Sequence, residues 1–399
     1  MKNILILTKN YPAKDCDFKE TKVVHYFAQE WNEMGYNVKV VHNYVLYPKV
    51  FLTIARFFRD FLTSKLGSGV PTIYDNKKKR YQIDGVDVCR FPIKKIIPHG
   101  LILKLRVKKQ FNEIRTFLKE ENFVPNVIVG HWWSPQLELL SMFKHEYNCK
   151  TCMVIHDVDE KKNSKAFLKY FSDIDVWGMR SRDLQRKFIS IFGPNYRTFL
   201  CLSGIPEKFI VGNDFRDFKS KPLVVSFVGT LVARKHPITI LKAVQLLPAN
   251  SISKINFIGD GNEQKKLQNY ATSNDLMSIT NFCGRIPRED VSEKLKETDL
   301  FVMVSEAEAF GLVYLEAMGA GCLTVASKNE GMDGVIIDSE NGFLCKAGDE
   351  IELADIIKKI MAMKPSERKR ISDNAVSTAL RNTDYLAAKR YIENLAEKH

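Results

Sequence analysis

The chain is 399 residues long, 45% hydrophobic and 27% charged, an ordinary balance for a soluble protein of two or three domains. No apolar run approaches bilayer-spanning length, and a chain of this size buries its cores without disulfide staples. The net charge of +13 favours anionic partners: nucleic acid, an acidic lipid surface or phosphorylated ligands.

The apolar stretch at the start, MKNILILTKNYP, is short, and no small-residue cleavage site follows it. It reads as a buried strand over 4–8 rather than a secretion signal, so a cytoplasmic location is expected. The next loop, from Lys9-Asn10-Tyr11-Pro12 to Phe18-Lys19-Glu20-Thr21, carries no glycine pair. An amphipathic helix over 21–34 and a strand over 38–42 follow. Residues 50–62 are aromatic with interleaved Arg56 and Arg59, readable as a helix on a membrane surface or as a core-facing helix. Basic runs come next: Lys77 to Arg80, Lys94 and Lys95, then Lys104, Arg106, Lys108 and Lys109. Each alone reads as a solvated face. Beside the aromatic stretch they would suit acidic lipid and a lipid-diphosphate acceptor. Strands over 86–91, 126–130 and 152–156 follow, with a helix over 135–147 between the last two. His131 directly follows the first of those two and His156 ends the second, and each alone reads as a structural histidine. Cys149 and Cys152 have CxxC spacing but no second ligand pair nearby, so core thiols explain them better than zinc. Asp157-Val158-Asp159 and Asp173-Ile174-Asp175 are DxD sequences that read as loop acids.

Periodicity breaks over 202–222, where Gly204, Pro206, Gly212, Asn213 and Asp214 gather. A second strand series follows at 223–228, 255–258, 300–304 and 322–326, with helical segments at 238–247 and 313–319 and a terminal helix over 384–398. Strand–helix alternation with uninterrupted apolar strands implies parallel sheets covered on both faces. The strands are too many for one small doubly wound domain. A TIM barrel alternates in the same way, but the mid-chain break argues against it. The expected fold class is α/β, with two Rossmann-like domains at 1–203 and 222–383. A linker at 204–221 joins them, and 384–399 packs back on the first domain.

In doubly wound sheets, ligands bind beyond the carboxyl ends of strands, where loops lead into helix N-termini that favour phosphate. Four segments of the second half fit. In the first, a strand ends at Gly229 and Arg234-Lys235 follow. A guanidinium fork beside an ammonium suits a diphosphate, and the missing GK[ST] ending excludes a Walker A loop. The second, Gly259-Asp260-Gly261, alone reads as an ordinary turn. The third, Phe282-Cys283-Gly284-Arg285-Ile286-Pro287, reads equally as a plain loop or as backbone reading a nucleobase edge. The fourth carries Glu308, Gly311 and Glu316, with a helix starting near Val313. Glu316 is the one acid on an otherwise small and apolar helix. Buried without a partner it would be costly. Sugar or ribose hydroxyls would satisfy it, since an ionised carboxylate accepts two at once; capping of local backbone N–H groups is the structural alternative.

Glu308 and Glu316 in E-x7-E spacing, preceded in order by Gly229, Arg234-Lys235 and Gly259-Asp260-Gly261, resemble the retaining glycosyltransferases of family 4. The likeness covers the C-terminal half closely and the N-terminal half loosely. It implies the GT-B architecture, two Rossmann-like domains with parallel sheets facing an interdomain cleft. It also implies roles. Arg234 and Lys235 would hold the donor diphosphate, Glu316 the nucleotide ribose and Glu308 the transferred sugar. Backbone N–H groups of Ala309, Phe310, Gly311 and Leu312 would surround sugar and phosphate. Gly229, Gly259, Arg285 and Ile286 would complete the donor site. His156 matches a position that contacts the donor sugar or its leaving phosphate, and His131, in His131-Trp132-Trp133-Ser134-Pro135, would line the acceptor cleft. The chain departs from the family at Val304 and Leu323, where Pro is usual, at Ala309, where Gly is usual, and at Gly331-Met332, where Gly-Gly is usual. Ala309 matters most, because its methyl would lie beside the donor and narrow sugar choice.

The expected activity is that of a retaining hexosyltransferase using a nucleoside diphosphate sugar. The expected acceptor is a saccharide, lipid-linked or part of a growing cell-surface polysaccharide. The protein would be cytoplasmic or peripheral on the inner face of the cell membrane, with no metal and no cofactor beyond the donor. A nucleotide-sugar epimerase of the same fold and a basic nucleic-acid-binding protein are the alternatives, and no nucleic-acid motif supports the second.

Overall fold

The computed structural model describes residues 2–13, 15, 21–58, 74–96, 102–158, 167–219 and 222–396. Parts of several sequence expectations lie outside the described residues: 14 and 16–20 of the first loop, 59–62 of the aromatic stretch, Asp159 of the first DxD, 220–221 of the linker and 397–398 of the terminal helix. The chain divides into two compact units. One comprises Met1–Arg180, Leu184–Leu202 and Ala387–His399; the other comprises Ser181–Asp183 and Ser203–Leu386.

The first unit holds an eight-stranded sheet: β1 (Asn3–Thr8), β2 (Asn37–Leu46), β3 (Lys79–Ile83), β4 (Val86–Lys94), β5 (Val127–His131), β6 (Lys150–Ile155), β7 (Val176–Met179) and β8 (Thr198–Leu200). Their spatial order is β3-β4-β2-β1-β5-β6-β7-β8. The central strand β1 shows why its apolar run is unbroken. Leu5 and Leu7 enter one core, while Ile4 and Ile6 enter the core on the opposite face. The second of these cores includes Ala387, Ala388, Tyr391, Ile392 and Leu395, one apolar stripe of the helix Asp384–Ala396. Trp31 Nε1 donates to the Ala388 carbonyl at 3.0 Å, which fixes that helix to the helix Val23–Glu33. Only β3 departs from the parallel arrangement, pairing antiparallel with β4 at the sheet edge. Lys79 and Arg80 lie on it and are engaged in ion pairs rather than merely solvated. Arg80 donates to both oxygens of Glu121 at 2.7 and 2.9 Å, and Lys79 pairs with Asp15 and Asp75.

The second unit holds six parallel strands: β9 (Leu223–Val228), β10 (Ile252–Ile258), β11 (Thr280–Gly284), β12 (Leu300–Met303), β13 (Leu323–Ser327) and β14 (Phe343–Cys345). The order is β11-β10-β9-β12-β13-β14. The chain therefore builds outward from β9 in one direction, then returns to β9's other side with β12. The loops that follow β9 and β12 meet at this switch point, which is where an open α/β sheet forms a crevice. Among the described residues no helix is long and apolar enough to cross a membrane.

Candidate functional site

After β9 the chain makes a short 3-10 turn, Ala233–Lys235, before the helix Ile238–Gln245. After β12 it loops to Gly311 and enters the helix Leu312–Gly319. One main-chain bond locks the two loops together: Glu306 N–H donates to the Arg234 carbonyl at 2.7 Å. Three charged side chains converge as a result. Arg234 Nη1 and Lys235 Nζ stand 3.5 and 3.4 Å from the same Glu308 oxygen, Oε2. The Lys235 and Glu308 side chains are largely buried while Arg234 is exposed. At these distances the cations offset the carboxylate's charge, yet Oε2 is buried and accepts no hydrogen bond. A buried acceptor in that condition is costly unless a further donor reaches it.

The surrounding backbone is set by close approach. Gly229 sits where a Cβ would lie 3.1 Å from Lys235 Nζ, so the missing side chain gives the ammonium its place. Gly259, at φ +135°, would put a Cβ 2.0 Å from the Gly229 carbonyl oxygen. Its glycine is therefore required by loop-on-loop packing. Gly331 packs in the same way behind the β12 loop, where a Cβ would come within 2.6 Å of Phe310 N and Cα. Glu330 adds a second carboxylate to this loop, its Oε2 accepting the Glu308 N–H at 3.0 Å. Phe310 is buried beneath the loop, whereas Ala309, Gly311 and Leu312 are half-buried. The helix they open has no side-chain N-cap, which leaves its first-turn amides for other acceptors.

Glu316, on that helix, is buried, and its partner was not foreseen. Oε1 accepts from Arg288 Nε at 2.8 Å and lies 2.6 Å from Arg288 Nη2. Arg288 opens the helix Arg288–Lys296 and lies over the Phe209 ring at 4.2 Å. The carboxylate is thus held by a guanidinium, not by the backbone caps considered from sequence. Arg285 lies apart from this pair and donates to Asp260 Oδ1 at 2.8 Å, linking the loops after β10 and β11; Ile286 beside it is half-buried. In sequence, the signal for Arg288 was slight: a cation just after Pro287 at a helix start.

In the first unit, His131 and His156 end the neighbouring strands β5 and β6, and their rings meet, Nδ1 to Nε2, at 3.1 Å. Trp132 stacks on His156 at 3.9 Å. Burial, reinforced by Arg180, pushes His131 down to about 3 and His156 well below the usual histidine range. Both rings are therefore neutral at physiological pH, and one donates to the other. Arg180, which sequence reasoning missed, follows β7 and donates Nη1 to the Cys201 carbonyl at 2.7 Å. The second DxD is structural: Asp173 accepts from Ser141 Oγ at 2.5 Å, and Asp175 accepts the Thr151 N–H at 2.8 Å. Among the described residues no group of three His, Cys, Asp or Glu is placed to hold a metal ion.

Comparison with known proteins bears on the second unit above all. Residues 213–378 match the family model described as glycosyl transferases group 1. The lipopolysaccharide core biosynthesis glycosyltransferase LpsE of Rhizobium meliloti (strain 1021) is 32% identical over 178 residues, 44% of this chain and 50% of that protein. The amylovoran biosynthesis glycosyltransferase AmsK of Erwinia amylovora is 26% identical over 213 residues, 51% of each. The matches thus span about half the length of these relatives. In architecture the likeness is complete in extent: Anabaena HepE, solved in complex with UDP and glucose, aligns over 99% of this chain and 100% of its own with a TM-score of 0.67 at 18% identity. The strand order, the charged cluster at its switch point and the structural likeness agree on a chain with the GT-B fold, of which residues 213–378 match the glycosyl transferases group 1 model.

Proposed function

We propose that this chain is a retaining glycosyltransferase of family 4. It moves a sugar from a nucleoside diphosphate donor to a lipid-linked or growing cell-surface polysaccharide at the inner face of the cell membrane. The convergence of Arg234, Lys235 and Glu308 at the switch point carries this reading. Two cations at the carboxyl end of β9 suit a diphosphate, and the unsatisfied Glu308 Oε2 suits a sugar hydroxyl as donor. The named roles of LpsE and AmsK in lipopolysaccharide and amylovoran synthesis support the acceptor class, and the UDP and glucose bound to HepE support the donor class.

In the reaction, the bond from the anomeric carbon to the diphosphate oxygen breaks as the acceptor oxygen bonds to the same face of that carbon. The acceptor proton passes to the departing phosphate oxygen, so no enzyme nucleophile is required. Arg234, Lys235 and the first-turn amides at Gly311 and Leu312 stabilise the charge that grows on the leaving group. Glu308 orients the sugar, and Glu316 takes the ribose hydroxyls on the oxygen that Arg288 leaves for them. His156 donates as a neutral ring. The closing test is thermal stabilisation by UDP-, GDP- and ADP-sugars, since a ligand selective for the native state raises the melting temperature. If no nucleotide sugar shifts the transition, or if Lys235→Ala and Glu316→Ala both retain full transfer, the proposal fails.

A further inference from the structure

We infer that the edge of the first unit beyond the carboxyl ends of β2 and β4 is a docking surface for anionic phospholipid. Three segments meet there. β2 and β4 run in register to Leu46 and Lys94, and Lys95 N–H donates to the Leu46 carbonyl at 2.8 Å. The helix Lys49–Phe57 leaves from the end of β2. The helix Lys104–Glu120 is tied to the end of β4 by Arg106 Nη1, which donates to the Lys94 carbonyl at 3.0 Å.

The helix Lys49–Phe57 buries Leu52 and Ala55 against the unit. Its outward face should then be polar. It carries instead Val50, Ile54 and Phe57, spaced by four and three residues and so stacked on one side. Val50 is 73% exposed and Phe57 80%. Ile96, Leu103 and Leu105 add to the same edge, the last of them 82% exposed. Monomers in water rarely display contiguous apolar surface of this kind without a partner for it.

Charge selects the partner. Segments 49–58, 94–96 and 102–112 contain eight Lys or Arg and no Asp or Glu. The nearest acid along the second helix, Glu113, is shared between Lys78 at 3.1 Å and Lys109 at 3.9 Å, which leaves the other cations of the patch in excess. Apolar side chains projecting between cations match a bilayer interface, where the former enter the acyl boundary and the latter meet anionic headgroups. A second copy of the chain would bring like charge against like charge in a two-fold contact. Nucleic acid would leave the aliphatic side chains idle, since Val50, Ile54, Ile96, Leu103 and Leu105 neither stack on bases nor bind phosphate.

The inference rests on the membrane placement proposed above and names the surface and lipid class behind it; vesicle binding reads it separately from sugar transfer. The full chain is sedimented with vesicles of phosphatidylcholine alone and of phosphatidylcholine with phosphatidylglycerol. Binding is expected on the anionic vesicles, weakening with salt. Val50→Ser with Phe57→Ser should lower the partition coefficient by at least about tenfold, and Lys104→Ser with Lys108→Ser by roughly 30-fold at low salt. Both pairs should keep the wild-type melting temperature, because the side chains are exposed. The same proteins are tested for stabilisation by a nucleotide sugar; vesicle binding without it leaves this surface standing and removes the glycosyltransferase reading. Failure to sediment with anionic vesicles overturns the inference. So does undiminished binding by both pairs, a stable dimer that the apolar pair dissolves, or tighter binding to a homopolymer oligonucleotide than to vesicles.

Discussion

Glu316→Ala removes a carboxylate whose side chain is 10% exposed and breaks its ion pair with Arg288, which is 27% exposed and lies over Phe209. Removing one partner of a fully buried ion pair costs about 3–5 kcal/mol. Arg288 keeps contact with water, so about 2 kcal/mol is expected here, which lowers the melting temperature of a unit this size by roughly 4–8 °C. The effect on donor binding is separate. A ribose-binding carboxylate accepts two charge-assisted hydroxyl bonds, each contributing about 1.5 kcal/mol or more, so nucleotide affinity should fall at least about 100-fold. Arg288→Ala tells the two effects apart, because it removes the ion pair and leaves the carboxylate in place. Its expected loss of stability is similar, but its loss of nucleotide affinity is under about tenfold. Titration calorimetry with the nucleotide found by screening, alongside scanning calorimetry, measures both quantities. If the two single variants lose equal affinity and the double variant loses no more, Glu316 serves only to hold Arg288 and the ribose role is refuted.

Lys235→Ala should cut turnover at least about 100-fold, as the loss of a charge-stabilising group does, and should also lower the melting temperature, because the largely buried Glu308 loses one of its two cations; turnover within a few-fold of wild type would remove the lysine from the diphosphate site. Gly259→Ala forces a Cβ to within 2.0 Å of the Gly229 carbonyl oxygen. Urea unfolding should register a loss of more than about 3 kcal/mol, and a near-normal midpoint would show that the two loops separate freely. The fully buried His42 and His131 are both pushed down to about 3, burial being the larger cause and a nearby arginine the smaller. They take up protons in the unfolded chain at about 6.5 but not in the folded one. Their contribution is therefore complete above that pH and lost as pH falls toward 3, at about 1.4 kcal/mol per pH unit for each ring. Unfolding curves from pH 7 to pH 5 should steepen in this sense, and a flat profile would show that the rings are solvated.

Much of the fold was legible because the strands that matter are apolar on both faces. The runs at 4–8, 223–228 and 300–304 became β1, β9 and β12, shifted by a residue at most. The strands missed have identifiable reasons. β8 and β14 are three residues long and β7 four, too short for a periodicity to register. β3, with the sequence KRYQI, is an edge strand whose cations are paired across to other elements, and from sequence those cations looked merely solvated. The end of β11 reads as part of a loop in sequence because, after the buried Thr280, its residues are exposed or half-buried and give no continuous apolar run.

The candidate site divides along a different line. A residue's place at a strand's carboxyl end follows from local pattern, which is why Arg234, Lys235, Glu308, His131 and His156 could be singled out. Its partner depends on which strands become neighbours, and local pattern does not carry that. Arg288 is 28 residues from Glu316, Glu330 is 22 from Glu308, and none of these pairs shares a helix or a turn. Strand order supplies what was missing. Once β12 is placed beside β9, the loops after them must meet, and two cations fall against Glu308; once β6 is placed beside β5, the two histidines must touch. The same placement changes the meaning of Gly259. From sequence it reads as part of an ordinary turn, but beside β9 it is the room that the Gly229 carbonyl takes. The space held open for Lys235 is at Gly229 itself, one strand nearer to the switch point, so a side chain introduced there should displace the ammonium before it disturbs the sheet.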